Sequence, residues 1–319
     1  MKLIKAFFQL IRWPNLVFIG LTQWLFYFCI VPSVYEPNQN AVKELNKVDG
    51  LFYLLIFSSI MIAAAGYIIN DYFDLQIDAI NKPKKVVIDK ILKRRWAIVW
   101  HLLLSLAGLG CSIFISIETD KWIIAIANFS SIFLLWIYST TFKKKILTGN
   151  IIISVLTAWV VLVVYYFAGA NFLNYKGWDN INYPFDIRKL YQLTILYSGF
   201  AFIISLIREA VKDMEDMEGD ARFQCNTMPI KWGIPASKVF VAVWVIICIS
   251  SLTIIQIYAW QTGWWISAVY NLCFVIIPLL FVLKKLYKAK ISADYHQLSN
   301  YLKLVMLAGI LSMLFFKLI

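Results

Sequence analysis

Two clusters of aspartates with the same spacing hold the chemistry that this chain could perform. They are Asp71, Asp74 and Asp78 in NDYFDLQID, and Asp213, Asp216 and Asp220 in DMEDMEGD. At about 100° per residue, positions i, i+3 and i+7 fall within roughly 60° of one another on a helix, so each cluster should present three carboxylates on one face. Mg²⁺ prefers oxygen ligands and often binds through a few carboxylates together with substrate phosphates. The clusters, called here the first and second acidic motifs, predict Mg²⁺ sites, and two facing sites would suit a bound diphosphate.

The composition indicates that the elements holding these motifs cross a membrane. Of the 319 residues, 61% are hydrophobic and 15% are charged, which is too apolar for an ordinary soluble domain. Nine mostly apolar runs are long enough to span a bilayer, near 14–32, 51–70, 96–116, 121–137, 148–170, 189–209, 237–258, 264–283 and 300–318. Backbone amides in hydrocarbon must be paired within their own segment, which favours helices. The predicted fold is an all-α integral membrane protein, a nine-transmembrane-helix bundle around a central cavity, forming a single domain over 1–319.

The positive charges predict the orientation of this bundle. The net charge is +12, and most of the 30 Lys and Arg lie in five segments on the side of the N-terminus. Cytoplasmic loops are enriched in Lys and Arg, so the N-terminus and both acidic motifs should face the cytoplasm from the inner (cytoplasmic) membrane. Anionic lipid would bind the same charges. Nucleic-acid binding is not expected, because the basic residues are divided among short loops between spans.

Basic side chains beside the acidic motifs could hold phosphate oxygens as negative charge develops on a leaving group. Three pairs are suitably placed: Lys84 and Lys85, Lys143 and Lys144, and Arg208 and Lys212. The same charges could instead serve topology alone. Asn70 could ligate a metal through its carbonyl oxygen, donate to phosphate, or cap a helix end. With Mg²⁺ bound, the diphosphate of an isoprenoid would become a good leaving group while its apolar tail lies among the helices.

At these residues the chain resembles the UbiA superfamily of intramembrane prenyltransferases. The first family motif, NDxxDxxxD followed by NxP, matches Asn70, Asp71, Asp74, Asp78, Asn81 and Pro83. The second matches Asp213, Asp216 and Asp220. An RxxN pattern matches Arg12 and Asn15, and YSxxxK with a downstream GN matches Tyr138, Ser139, Lys143, Gly149 and Asn150. The resemblance covers essentially the whole chain.

The resemblance implies that an allylic diphosphate ionises to a carbocation, which a nucleophile then captures. It implies a catalytic set of Asp71, Asp74, Asp213 and Asp216, joined by Asn70, Asp78 and Asp220 as ligands of two Mg²⁺ ions. It also implies that Lys143 contacts phosphate, and it adds Arg12, Asn15 and Tyr138 to the substrate-binding candidates. In one departure, Lys85 and Val86 stand where the family commonly has Arg and Pro. Lysine keeps the charge and loses the planar fork of arginine, so Lys84 could take over that contact.

The choice of acceptor depends on a narrower resemblance. RExxKDxEDxEGD followed by Thr227 to Pro229 is most similar to the branch of digeranylgeranylglyceryl phosphate synthases, which implies a geranylgeranyl diphosphate donor and a glycerol-phosphate lipid acceptor. Glu209 or an acidic-motif carboxylate could take the hydroxyl proton. Relatives that prenylate an aromatic acceptor in quinone biosynthesis share the metal motifs, so that acceptor class stays open.

Two functions of another class also compete, a divalent-cation transporter and a non-catalytic lipid-binding relative. A transporter should place ionisable residues near the bilayer midplane, whereas these aspartates lie at the ends of apolar runs. A non-catalytic relative should have lost some of the motif carboxylates, and all six aspartates are present. Both features favour an enzyme.

Overall fold

The computed structural model describes residues 2–34, 49–83, 86–173 and 186–318. Within these ranges the regular elements are helices and no strand occurs. The α-helices are α1 Lys2–Leu10, α2 Trp13–Leu25, α3 Asp49–Phe73, α4 Leu75–Asn81, α5 Arg94–Thr119, α6 Trp122–Thr140, α7 Thr148–Leu173, α8 Ile187–Glu215, α9 Met217–Arg222, α10 Met228–Gln261, α11 Trp265–Asn271, α12 Ile277–Lys288, α13 Ser292–Leu311 and α14 Phe315–Leu318. Short π-helical segments, Phe26–Ile30 and Leu272–Ile276, follow α2 and α11.

The described part of the chain contains nine segments long and apolar enough to cross a membrane. They are Trp13–Val34, Gly50–Phe73, Arg94–Thr119, Trp122–Thr140, Thr148–Gly169, Ile187–Glu215, Met228–Gln261, Trp265–Lys288 and Ser292–Lys317. Each overlaps one predicted span, which confirms the all-α, nine-span fold. The central cavity, the cytoplasmic N-terminus and the single domain stay predictions.

The predicted start of the ninth helix was wrong because a polar first turn extends this helix beyond its apolar run. The ninth helix starts at Ser292 and not near 300, since the Asp294 carboxylate accepts the backbone N–H groups of Lys290 at 2.8 Å and Ile291 at 3.2 Å. Such capping satisfies amides that the first turn leaves unpaired. The seventh segment, Met228–Gln261, is interrupted at Gly233, which is non-helical at φ 81° and ψ 162°, so its long helix begins after Gly233, close to the predicted 237.

An additional helix, α1, precedes the first span, outside the nine predicted spans. Its Ala6 and Leu10 are buried and its Phe8 is half exposed, so one face packs against the protein. The buried face belongs to a hydrophobic cluster that also contains Val87 and Ile88, which come after the first acidic motif. Helix α1 therefore helps to fix the segment that follows this motif.

The chain divides into two compact units, and each holds one acidic motif. The first unit comprises residues 1–140 and 159–197, and the second comprises 141–158 and 198–319. The division runs through helices α7 and α8, so each unit contains parts of these two helices.

Buried polar side chains join the helices of the first unit. Ser58 Oγ donates to Gly108 O at 2.8 Å, and Asn128 Nδ2 donates to Ser112 Oγ at 2.8 Å. Trp159 Nε1 then donates to Asn128 Oδ1 at 2.8 Å. These contacts connect α3, α5, α6 and α7 through hydrogen bonds that hydrocarbon could not replace.

Candidate active-site residues in the two units

Asp74 interrupts the helix that presents the first acidic motif. Helix α3 ends at Phe73 and α4 begins at Leu75, with Asp74 at φ −88° and ψ 2° between them. Backbone hydrogen bonds continue across the break, from Asp74 N to Asn70 O at 3.0 Å and from Asp78 N to Asp74 O at 2.8 Å. The motif is thus helical on both sides of its middle aspartate.

Asn70 and Asp74 form the most buried polar pair of the first motif. Asn70 Nδ2 donates to Asp74 Oδ2 at 2.7 Å, and both residues are buried. Asn70 Oδ1 is also buried, and among the described residues it has no hydrogen-bond partner. A buried acceptor without a partner is costly, so an external donor or a metal ion would stabilise it.

Arg12 forms an ion pair with Asp71, the first aspartate of the first motif. Its Nη2 donates to Asp71 Oδ1 at 2.6 Å, and its guanidinium lies over the ring of Tyr67 at 5.1 Å from the centroid. Burial alone would lower the pKa of Arg12, but the charges of Asp71 and Asp78 outweigh burial, so its pKa is raised. Arg12 itself has a left-handed backbone, φ 51°, and it separates α1 from α2. The chain turns there and brings a cation to the motif.

The other candidate residues of the first unit have different surroundings. Asp71 and Asp78 line a small open cleft with Leu75 and residues 86–88. Asn15 is half-buried at the start of α2, where its backbone N–H donates to Arg12 O at 2.8 Å. Tyr138 is half-buried near the end of α6. Lys84 and Lys85 lie outside the described residues, so their proposed contact with phosphate stays a prediction.

The second motif repeats the break at the equivalent residue. Helix α8 ends at Glu215 and α9 begins at Met217, with Asp216 at φ −94° and ψ 5° between them. Asp216 N donates to Lys212 O at 2.9 Å, and Asp220 N donates to Asp216 O at 3.2 Å. Both motifs therefore share a helix break at the middle aspartate, although their sequences differ at most other positions.

Asn150 is the partner of the first aspartate of the second motif. Its Nδ2 donates to Asp213 Oδ2 at 2.9 Å, and the residue is buried near the start of α7. Asp216 is half-buried and Asp220 is buried. Asn150 came into the sequence analysis only as part of a family pattern, and the structure gives it a direct contact within the motif.

Three charged residues lie among the five residues of α8 that precede Asp213. Arg208 Nη1 and Lys212 Nζ both contact Glu209 Oε1, at 3.2 Å and 2.6 Å. All three side chains are largely buried, with Arg208 14% exposed. Arg208 Nε is buried, and it has no hydrogen-bond partner in the described part of the chain. We call this group the Arg208 cluster.

Lys143 and Lys144 lie in a 3₁₀ turn, Phe142–Lys144, that precedes α7. Lys143 is half-buried, and its charge interacts with that of Asp213. Lys144 is exposed, and its carbonyl oxygen accepts the backbone N–H of Asn226 at 2.8 Å. The structure thus brings Lys143 near the second motif, while Lys144 fixes the chain after it through its backbone.

Sequence reasoning missed a contact that fixes the break in the second motif. His296 Nδ1 lies 2.8 Å from Glu215 Oε1, and Ser292 Oγ donates to Glu215 O at 2.9 Å. Both partners are on the first turns of α13, four residues apart and therefore on one helix face. Glu215 comes directly before Asp216. The spacing of Ser292 and His296 could have indicated a shared face, but no local pattern links that face to Glu215.

The donor atoms of both motifs suit Mg²⁺. Among the described residues no three His, Cys, Asp or Glu side chains gather as a metal site. Asp71 is held by Arg12, and Asp213 is held by Asn150. Mg²⁺ usually keeps several waters and takes only one or two carboxylates alongside phosphate oxygens, so a denser cluster is not required. The partnerless Asn70 Oδ1 and the adjacent carboxylates are hard oxygen donors that fit this ion.

The helical membrane fold and the two acidic motifs are those of a protein family that comparison with known proteins identifies. Residues 41–306 match the model of the UbiA prenyltransferase family, and this chain belongs to that family. A digeranylgeranylglyceryl phosphate synthase from Methanoregula boonei is 28% identical over 274 residues, covering 86% of this chain and 84% of the relative.

Two solved structures share the fold. One, described as concerning digeranylgeranylglyceryl phosphate synthase in membranes, has a TM-score of 0.59 at 24% identity and covers 98% of this chain and 99% of its own. A UbiA homolog from Archaeoglobus fulgidus bound to DMAPP and Mg²⁺ has a TM-score of 0.55 at 14% identity, covering 97% of this chain and 99% of its own.

Proposed function

We propose that this protein transfers a geranylgeranyl group from its diphosphate to geranylgeranylglyceryl phosphate, in a Mg²⁺-dependent step of ether-lipid synthesis. The observation that carries the proposal is the repeated motif, in which the helix breaks at the middle aspartate and a buried asparagine donates to one of the motif's aspartates. The Methanoregula relative supports the acceptor class, and the Archaeoglobus structure, bound to DMAPP and Mg²⁺, supports the donor class and the metal.

The proposed roles follow from the chemistry of the side chains. Asp71, Asp74, Asp213 and Asp216, with Asn70, Asp78 and Asp220, would hold Mg²⁺, which when bound makes diphosphate a better leaving group. Arg12 positions Asp71, and Asn150 positions Asp213. Lys143 would neutralise charge that develops on the departing diphosphate, and Lys84 and Lys85 would do so from the other motif.

The acceptor hydroxyl must lose a proton when its oxygen bonds to the prenyl carbon, and an acidic-motif carboxylate is the better candidate for receiving it. Glu209 was the other candidate. Its charge is already engaged by Arg208 and Lys212. We therefore assign Glu209 to holding those two cations.

We also propose which membrane holds the protein and which side its acidic motifs face. The chain is a multi-pass membrane protein by the nine apolar helices found among its described residues. We place it in the cytoplasmic (inner) membrane with its N-terminus and both motifs on the cytoplasmic side, because the basic segments lie on that side. Reporter fusions at the N-terminus and after residue 90 should both report a cytoplasmic position, while a C-terminal fusion should not. A cytoplasmic C-terminus would overturn this orientation.

The test is an assay of the purified full-length protein with labelled geranylgeranyl diphosphate. Geranylgeranylglyceryl phosphate, 4-hydroxybenzoate and 1,4-dihydroxy-2-naphthoate are offered separately, with Mg²⁺ or with a chelator. Transfer to the glycerol lipid supports the proposal, and transfer only to an aromatic acid replaces the acceptor. Transfer that persists in the chelator overturns the metal requirement.

Asp74→Ala and Asp216→Ala provide the matched test of the two motifs. Each should abolish turnover. Asp216→Ala should keep the thermal unfolding temperature, because Asp216 is half-buried at a helix break, whereas Asp74→Ala should lower it, since the buried Asn70 amide loses its acceptor. Full activity in either variant would show that its motif is not part of the machinery.

A further inference from the structure

Arg208 is a buried cation whose hydrogen-bonding capacity is only partly used. A guanidinium has five N–H donors, and Nη1 of Arg208 contacts Glu209 at 3.2 Å. Its Nε is buried without a partner among the residues that the structure describes. Leaving such a donor unpaired costs free energy, so an oxygen of a bound ligand would stabilise it.

The chemistry of the Arg208 cluster selects an anion with several oxygens. The planar fork of arginine matches phosphate with two parallel hydrogen bonds, and Lys212, one turn further along α8, adds a second positive charge. Glu209 contacts both cations and orients them. Buried charges of this kind are stable only when they are paired and hydrogen-bonded.

The cluster borders the second motif, since Lys212 directly precedes Asp213, while Arg208 lies further away. Arg208 precedes Asp213 by five residues, which is about 7.5 Å along a helix. Under the proposed function, the donor diphosphate binds through Mg²⁺ and the motif oxygens. The glycerol-phosphate acceptor brings a phosphate without its own metal. That phosphate lies only a few bonds from the hydroxyl to be alkylated, so it must bind close to the metal motif and outside it.

We propose, building on the proposed function, that Arg208 and Lys212 bind the phosphate of the glycerol-phosphate acceptor, with Glu209 as their positioning residue. If the cluster only balanced the charge of the second motif, Arg208 would form ion pairs with the aspartates of that motif. The described ion pair of Arg208 is instead with Glu209.

Steady-state kinetics on the full-length protein can separate the two substrates. Arg208→Gln and Arg208→Lys are compared with Arg222→Gln, whose residue forms an exposed ion pair with Glu218 at 2.7 Å. The KM for geranylgeranylglyceryl phosphate should rise about 10-fold or more in Arg208→Gln, as expected for losing a charge-assisted hydrogen bond. The KM for geranylgeranyl diphosphate should change less than about 2-fold, Arg208→Lys should recover part of the loss, and Arg222→Gln should match wild type.

Glycerol 1-phosphate provides a readout that does not depend on prenyl transfer to the lipid. It should protect the wild-type protein against thermal unfolding, and Arg208→Gln should lose that protection, whereas glycerol should protect neither. An equal rise in both KM values, or undiminished protection of Arg208→Gln, would overturn the phosphate site while leaving the proposed function intact. If the wild type transfers only to an aromatic acid and glycerol 1-phosphate protects nothing, the proposed function and this inference fail together.

Discussion

Asn70 shows how much of the first motif depends on a single side chain. Its amide nitrogen donates to Asp74 at 2.7 Å, while its amide oxygen is buried without a partner in the described structure. An amide can do both because it carries a donor and an acceptor on one planar group. A carboxylate of the same shape can only accept.

Replacing Asn70 therefore tests the Mg²⁺ site directly. In Asn70→Asp, two carboxylates would lie where a hydrogen bond of 2.7 Å now stands, so we expect the metal-free protein to unfold at a lower temperature than wild type. Added Mg²⁺ should restore more of the unfolding temperature than it adds to wild type, because the ion neutralises the repulsion. Thermal unfolding with Mg²⁺ and with a chelator measures both effects.

Asn70→Ala is the control for this prediction, since it removes the amide and adds no charge. It should raise the Mg²⁺ concentration for half-maximal activity by about 10-fold, the effect of losing one charge-assisted ligand contact. Equal responses of Asn70→Asp and wild type to Mg²⁺ would contradict the assignment of Asn70 as a ligand.

At the residue scale, spacing identified the acidic motifs but not their partners. The matched DxxDxxxD patterns located all six aspartates, because the helix period relates their positions within one segment. Arg12 and Asp71 are 59 positions apart, and Asn150 and Asp213 are 63 apart. Such contacts depend on how helices pack, so only a family pattern indicated that Arg12 and Asn150 belong to the site.

At the scale of elements, Gly108 sets how closely α5 approaches α3. A Cβ atom at Gly108 would lie 2.7 Å from Ile62 Cγ1 and 3.1 Å from Ser58 O. Small residues allow such close approach between membrane helices. We expect Gly108→Ala to destabilise the protein by about 1 to 3 kcal/mol through overpacking, measured by thermal unfolding in detergent.

Gly110 is the matched control on the same helix. A Cβ atom there meets nothing within 4 Å, so Gly110→Ala should be neutral or slightly stabilising, in line with the higher helix propensity of alanine. If both substitutions shifted the unfolding temperature equally, close packing at Gly108 would not be the cause.

The contact between α13 and the end of α8 predicts a positioning role for His296. We expect His296→Ala to lower the transfer rate by about 3- to 10-fold, since the hydrogen bond that holds Glu215 beside the break at Asp216 is lost. Gln297→Ala, at the next exposed position of α13, should leave the rate unchanged. A similar loss in both variants would point to a general effect on α13.

Apolar run length predicted well the nine membrane helices that the described part of the chain contains, because bilayer thickness imposes their length. It could not predict the helix breaks at Asp74 and Asp216, since the sequence on both sides of each break remains compatible with helix. It also missed α1, which is short and buries one face only through contacts with residues such as Val87 and Ile88. Elements defined by the bilayer were predictable, and elements defined by tertiary contacts were not.

At the scale of the whole molecule, the division into two units predicts which fragments of the chain can fold without the rest. The first unit needs residues 159–197 as well as 1–140. In a fragment of residues 1–140, Asn128 Oδ1 would lose the hydrogen bond that Trp159 Nε1 donates to it. Gln23 Nε2 would lose the hydrogen bond that it donates to Val160 O. Buried amides without partners are costly, so we expect this fragment to aggregate in detergent while residues 1–197 remain monodisperse.

Size-exclusion chromatography and thermal unfolding of the two fragments provide the measurement. Residues 1–197 should show a cooperative unfolding transition, and residues 1–140 should not. Equal behaviour of both fragments would mean that residues 159–197 contribute little to the first unit.

The chain contains only two histidines, and they fall in different units. His101 Nδ1 is buried 3.0 Å from Ala65 O, and His296 is half exposed beside Glu215. Because a carbonyl oxygen can only accept, His101 must carry its proton on Nδ1, while the imidazole of His296 can exchange with solvent. Selective isotope labelling of histidine would therefore yield two distinguishable NMR signals, one from each half of a 319-residue membrane protein, without introducing any probe.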